Sequence, residues 1–257
     1  MAELVIQQIP VLSDNYVYLL HDAATGSTAV VDPAVSQPVL DALREKNWRL
    51  THILNTHHHA DHVGGNLELK QATGCHIVGP RADRARIPGI ETEVGDGDTY
   101  RFGSAEAKVF DVPGHTSGHI AYWFPESRAV FVGDTIFMLG CGRLFEGTPQ
   151  TMWASLSKLR ALPPETRIYC AHEYTQSNAR FALTVEPSND ALKRRSREID
   201  AARAAGRPTV PATMAEELAT NPFLRADRPE LQRDAGLVGR DPAAVFGEIR
   251  HHKDHFR

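Results

Sequence analysis

The chain has 257 residues, 42% of them hydrophobic, with 28 Lys and Arg against 32 Asp and Glu for a net charge of -4. A chain of this length buries roughly 75% of its unfolded surface, so its core needs no disulfide staples. No apolar run approaches the ~18 residues that cross a bilayer, and the net negative charge argues against a protein that binds nucleic acid by neutralising phosphates.

Short β-branched or apolar runs at residues 4–6, 16–20 and 28–31 predict strands. Residues 36–46 predict a helix, with Val39, Leu40 and Leu43 on one face and Ser36 as its N-cap. A buried strand over 51–55 and a helix over 64–73, ended by Gly74, come next. Strands follow at 76–78, 108–112, 120–124 and 129–132. A helix over 148–162 carries Trp153, Leu156 and Leu159 on one face, and 167–170 is one more strand. After Tyr174 no further strand is predicted. Helices are expected over 189–205, from the capping-box pattern Thr213-x-x-Glu216, over 229–235 and over 242–252. Residues 1–173 hold 14 basic and 20 acidic side chains, and residues 174–257 hold 14 and 12. The expected organisation is therefore an α/β domain over 1–173 and an α-helical domain over 174–257.

Three separated cysteines, Cys75, Cys141 and Cys170, form no C-x-x-C and read as reduced thiols of a cytoplasmic protein. The start of the chain has Glu3 and no basic stretch before an apolar run, so no secretory signal is read. Histidine is the informative residue: thirteen are present, seven of them at 57–62, 115–119 and 172. In extended backbone His57 and His59 point to one side, and Asp61 and His62 follow where the chain turns into a helix. That spacing suits two adjacent cations. Further ligands stand where apolar strands end, at His115, Asp134 and His172, and a carboxylate at Asp134 has two oxygens with which to bridge two metals. His21, His52 and His76 read as ordinary structural histidines, His58 and His119 as supporting or packing residues, and His251, His252 and His255 as a solvated face.

The segments THHHADH, GHTSGH, GDT and AHEYT resemble the metallo-β-lactamase superfamily. The stretches GCGRLFEGT, HEYTQSNARFALTVEP and NPFLR, with the tail Arg250-x-x-Lys253-Asp254, narrow the resemblance to the hydroxyacylglutathione hydrolases, the glyoxalase II family. It implies an αββα sandwich with a C-terminal α-helical domain that binds glutathione. It also implies two divalent cations, zinc first and iron or manganese as alternatives. By resemblance His57, His59 and His115 hold one cation and Asp61, His62 and His172 the other, with Asp134 between them. Glutathione contacts fall on Arg143, Tyr174, Arg250 and Lys253. Arg143 stands where many members have lysine and Phe145 where many have tyrosine, so charge is kept at the first position and a hydroxyl lost at the second.

The implied activity is hydrolysis of S-D-lactoylglutathione, and of other S-2-hydroxyacylglutathiones, to glutathione and the hydroxy acid. This is the second step of methylglyoxal detoxification, carried out by a monomer in the cytoplasm. The residues allow the chemistry: no G-x-S-x-G elbow is present, whereas two cations ~3.5–4 Å apart lower the pKa of a shared water towards ~7. A water so activated would attack the thioester carbonyl, with Asp61 and Asp134 as the expected catalytic carboxylates, and the thiolate would leave without a dedicated acid. A persulfide dioxygenase or a lactonase would share the metal motif. A metal-dependent nuclease is disfavoured by the acidic main domain, and a non-catalytic metal scaffold is the least favoured reading.

Overall fold

The computed structural model describes residues 3–256. They form two compact units: the chain up to Asp111 with Ser117–Gly133, and Val112–Thr116 with the chain from Asp134 onward.

In the first unit, strands β1 (Val5–Val11), β2 (Asn15–Asp22), β3 (Ser27–Val31), β4 (Leu50–Leu54), β5 (His76–Pro80) and β6 (Thr92–Val94) lie side by side in chain order. β1, β2 and β3 pair antiparallel, and β3 to β6 pair parallel. The parallel pairs need crossovers: α1 (Gln37–Lys46) links β3 to β4, α2 (Ala60–Val63) and α3 (Asn66–Thr73) link β4 to β5, and a segment with one 3-10 turn at Arg81–Asp83 links β5 to β6. A second sheet holds β7 (Thr99–Phe102), β8 (Ala105–Asp111), β9 (Ile120–Phe124) and β10 (Ala129–Gly133), antiparallel neighbours in sequence order. β2 is buried along nearly its whole length because both of its faces are covered. Val17 and Leu19 pack with Val30, Ile53 and Ile77 against Val39 and Leu43 of α1. The alternate side chain Tyr18 meets Phe131 of β10 edge-on at 5.5 Å, and Tyr122 of β9 donates its hydroxyl to the Asn55 carbonyl at 3.0 Å. Each fully buried aliphatic side chain here contributes about 1.5–3 kcal/mol.

Because β3 and β4 run parallel, the residues that follow them emerge at the same sheet edge. Asp32 after β3 donates its N–H to the Leu54 carbonyl, and its carboxylate accepts from Thr56 after β4. This is the edge where open α/β sheets place their ligands.

The second unit begins its long segment with a two-stranded hairpin, β11 (Ile136–Phe137) and β12 (Gly140–Cys141). Helix α4 (Pro149–Arg160) starts on Thr148, whose hydroxyl accepts from Thr151 N–H, and buries Met152, Leu156 and Leu159. Strand β13 (Arg167–Cys170) pairs with β14 (Ala212–Thr213). Around them come α5 (Thr175–Val185), α6 (Asp190–Ala204), α7 (Met214–Thr220), α8 (Pro229–Asp234) and α9 (Pro242–His255). The Thr213–Glu216 capping box forms as its spacing predicts, and Asn189 caps α6.

Several elements differ from the sequence reading. β14 is a strand after Tyr174, too short at two residues to carry an alternation. α5 escapes the apolar period because Thr175 and Asn178 occupy buried positions on its inner face. The helix expected over 64–73 starts two residues later, as α3 at Asn66, and a separate short helix, α2, precedes Gly64-Gly65. Ser36 precedes α1 but does not cap it, and its hydroxyl goes to Glu68 at 2.5 Å. No helix among the described residues is long and apolar enough to cross a membrane.

Candidate metal centre

The first unit carries His57, His59, Asp61 and His62 on the loop between β4 and α2 and on α2 itself. Its organiser is Asp32, buried at 4% exposure. One carboxylate oxygen accepts from the Thr56 N–H at 2.7 Å; the other accepts from the Thr56 hydroxyl at 2.6 Å and meets His62 Nδ1 at 3.1 Å. A carboxylate on one imidazole nitrogen fixes the tautomer and turns the other nitrogen outward as a ligand. His57 is buried, with Nδ1 3.1 Å from the Thr56 hydroxyl and Nε2 3.1 Å from His59 Nδ1. Ligand atoms of Asp32, His57 and His62 lie within 4.8 Å of one another. Asp61 Oδ2 lies 3.7 Å from His62 Nε2 and accepts from Asn15 Nδ2 at 3.1 Å. His58 turns elsewhere, to the buried carboxylate of Asp83 at 3.0 Å. His119 stacks on His57, 4.5 Å between ring centroids.

The second unit carries His115, Asp134 and His172. His115 Nδ1 meets the Arg143 carbonyl at 2.9 Å, and Nε2 lies 3.3 Å from Asp134 Oδ2. His172 Nε2 lies 3.4 Å from the other oxygen, Asp134 Oδ1. One buried carboxylate therefore offers an oxygen to each of two buried imidazoles. Asp134 follows Gly133, whose φ of 48° and contact with His119 leave no room for a Cβ. His172 also stacks on Tyr174 at 4.8 Å, the rings nearly parallel, with Phe137 edge-on at 5.8 Å.

This donor set fits divalent cations. Imidazole nitrogens and carboxylate oxygens are the ligands of zinc, iron and manganese. Three of the imidazoles, His57, His62 and His115, are oriented at Nδ1 by a protein oxygen.

The four residues of the implied glutathione subsite lie in the second unit. Arg143 is exposed, 3.9 Å from Asp254, and Tyr174 is 38% exposed. Arg250 is not on an open helix face: it is buried, donating to Asp254 at 2.8 and 3.1 Å and to the Cys141 carbonyl at 3.0 Å. Lys253 rests its ammonium over Phe181 and Phe256, 5.3 Å from each ring centroid. Burial first, then the charges of Arg250, Arg180 and Arg143, push its pKa down to about 8. Phe145 is 62% exposed, its ring 5.2 Å from His115.

The remaining histidines have local partners. His21 stacks on Trp48, His52 and His76 meet the hydroxyls of Thr51 and Thr92, and His251, His252 and His255 are exposed on α9. The sequence reading missed Asp32, Asp83 and Asn15. Asp32 was accessible to it, since it ends an apolar strand just as Asp134 does.

The family model of the metallo-beta-lactamase superfamily matches residues 12–172, and that of the hydroxyacylglutathione hydrolase C-terminus matches residues 173–256. A hydroxyacylglutathione hydrolase of Methylococcus capsulatus is 61% identical over 98% of both chains, and one of Rhodospirillum rubrum is 57% identical over the full length of both. Among solved structures, ETHE1 from Myxococcus xanthus superposes with a TM-score of 0.70 at 27% identity, covering 96% of this chain and 90% of that one. The di-iron-bound form of TTHA1623 has a TM-score of 0.60 at 25% identity, covering 84% of this chain and 98% of that one.

Proposed function

Because the chain belongs to the hydroxyacylglutathione hydrolase family of the metallo-β-lactamase superfamily, a family of thioester hydrolases, we propose that it cleaves S-D-lactoylglutathione and related 2-hydroxyacyl thioesters at a centre of two divalent cations. The observation that carries the dinuclear reading is Asp134, whose two oxygens face two different imidazoles, His115 and His172. The di-iron-bound form of TTHA1623 supports it. In this proposal His57, His59 and His115 hold one ion and Asp61, His62 and His172 the other, with Asp134 joining them. Zinc is the expected metal, and iron or manganese suit the same donors.

When bound, such cations acidify a water and offset the charge that develops on a carbonyl oxygen. The chain's own residues do the rest. Asn15 fixes the rotamer of Asp61, so this carboxylate orients the attacking water and accepts its proton at Oδ. Lys253 and Arg143 draw the two carboxylates of glutathione, with the buried Arg250 adding its charge behind them, and the Tyr174 ring packs against its backbone. The thiolate leaves at neutral pH without a proton donor. The domain boundary at residue 173, a cytoplasmic monomer and a role in methylglyoxal detoxification belong to the same proposal.

The test is turnover of S-D-lactoylglutathione by purified protein before and after chelation, with metal added back. Activity that is lost to the chelator and restored by zinc, iron or manganese is the expected result. No thioester turnover by metal-loaded protein would move the function to a lactonase, and a single iron without turnover would move it to sulfur oxidation.

A further inference from the structure

Three residues of the proposed centre and subsite hang on one short hairpin. Asp134 precedes β11, Arg143 follows β12, and the carbonyl of Arg143 meets His115 Nδ1. The hairpin itself is weak. It pairs only Ile136 with Cys141 and Phe137 with Gly140, and Leu139 at its tip has a φ of 57°. Two-stranded hairpins of this size do not hold their shape alone, and a leucine at positive φ is strained.

What holds it is a set of side chains from the helical region. Asn221 Nδ2 reaches the carbonyls of Phe137 at 3.2 Å and Gly140 at 3.0 Å, and Glu217 at 2.8 Å. Asn221 Oδ1 accepts from the Phe223 N–H at 3.0 Å, which fixes which way the amide faces. The same Glu217 oxygen accepts from the Leu139 N–H at 3.0 Å, and Arg195 neutralises the carboxylate. Asn178 donates to the Met138 carbonyl at 3.1 Å. Asn221 and Glu217 are fully buried, so these bonds are made away from competing water. The close fit continues at Gly142, where an added Cβ would run into the carbonyl of Asp134.

We propose that Asn221, backed by Glu217, is a positioning residue that sets the metal ligand Asp134 and the substrate contact Arg143 together, through the hairpin between them. It touches neither metal nor substrate. The helical region then builds the metal centre as well as binding the substrate. This inference rests on the reading of Asp134 as a metal ligand.

The experiment loads the full chain with cobalt(II) and records cobalt stoichiometry, the visible spectrum, resistance to a competing chelator, KM, kcat and Tm. For Asn221→Ala the expected result is a folded protein that holds one of its two cobalt ions about tenfold more weakly, as loss of a ligand-orienting contact does. Its spectrum shifts, and its KM rises severalfold at the same time. Lys253→Ala, the control, raises KM and leaves the spectrum alone. A lowered Tm with cobalt binding, spectrum and KM all unchanged would overturn the proposal and make Asn221 a brace only. Should Asn221→Ala not fold, Asn178→Ala removes another of the side-chain bonds that hold the hairpin, the one to the Met138 carbonyl, and a folded Asn178→Ala without the joint shift would overturn it equally. Wild-type protein that takes up fewer than two cobalt ions would contradict the underlying dinuclear reading, and this inference with it. Two ions in the wild type and no change in Asn221→Ala would overturn this inference alone.

Discussion

The two groups of candidate ligands are held by different devices. His57, His59, Asp61 and His62 sit within six residues, and one buried carboxylate, Asp32, grips both the backbone of their loop and a ring. His115, Asp134 and His172 are spread over 58 residues of sequence and share no such organiser: a backbone carbonyl orients His115, and His172 stacks on Tyr174 two residues along. The first group is organised around metal orientation alone. In the second, the carbonyl that orients His115 belongs to Arg143, a substrate-contact candidate, so a candidate ligand and a candidate substrate contact share a support.

That contrast can be broken in order of expected effect. Asp134→Ala removes the carboxylate that meets two imidazoles. Turnover should fall on the order of 10³-fold, at the upper end of what a single charge-stabilising group supplies, and metal content should fall with it. Unchanged stoichiometry by elemental analysis would show that Asp134 joins no ions. Asp32→Ala should weaken metal binding roughly 10–100-fold with KM for the thioester unmoved, measured by chelator competition beside steady-state kinetics. A rise in KM without loss of metal would erase the difference between the two groups.

Lys253→Ala should raise KM roughly tenfold, the lower end for a lost charge-assisted contact, and change kcat little, because it removes uniform binding. A large fall in kcat at constant KM would contradict a binding role. The smallest effect is on pH. Lys253 has its pKa lowered to about 8, so it is charged below that pH and loses its proton as pH rises through it. KM should therefore climb above about pH 8. Saturated turnover should not follow Lys253, since a bound carboxylate favours the charged form and restores the proton. The same shift weighs against folded stability below about pH 8, where both states carry the charge and only the folded one keeps it partly buried. Lys253→Arg, charged throughout, should flatten the KM profile, and a profile unchanged in that variant would free Lys253 of the effect.

Legibility followed the same divide. The ligand loop was readable because side-chain period and turn position are local properties, and the second group because each ligand ends an apolar strand. The supports were not. Asn221 lies in NPFLR and Glu217 inside a helix start, and nothing nearby in sequence reveals that both reach a hairpin some 80 residues earlier. The burial of Arg250 was equally hidden, since its spacing to Lys253 describes a helix face and not what packs on it. The sheets were legible except at β6, β7, β14 and the 136–141 hairpin, strands of two to four residues that show no alternation.

The most direct test of the central claim is anomalous diffraction from crystals of protein purified without chelator, with data at the zinc, iron and manganese edges. The account predicts two peaks ~3.5–4 Å apart, with the Asp134 carboxylate between them. A single peak, or two peaks with Asp134 touching neither or only one, would contradict it.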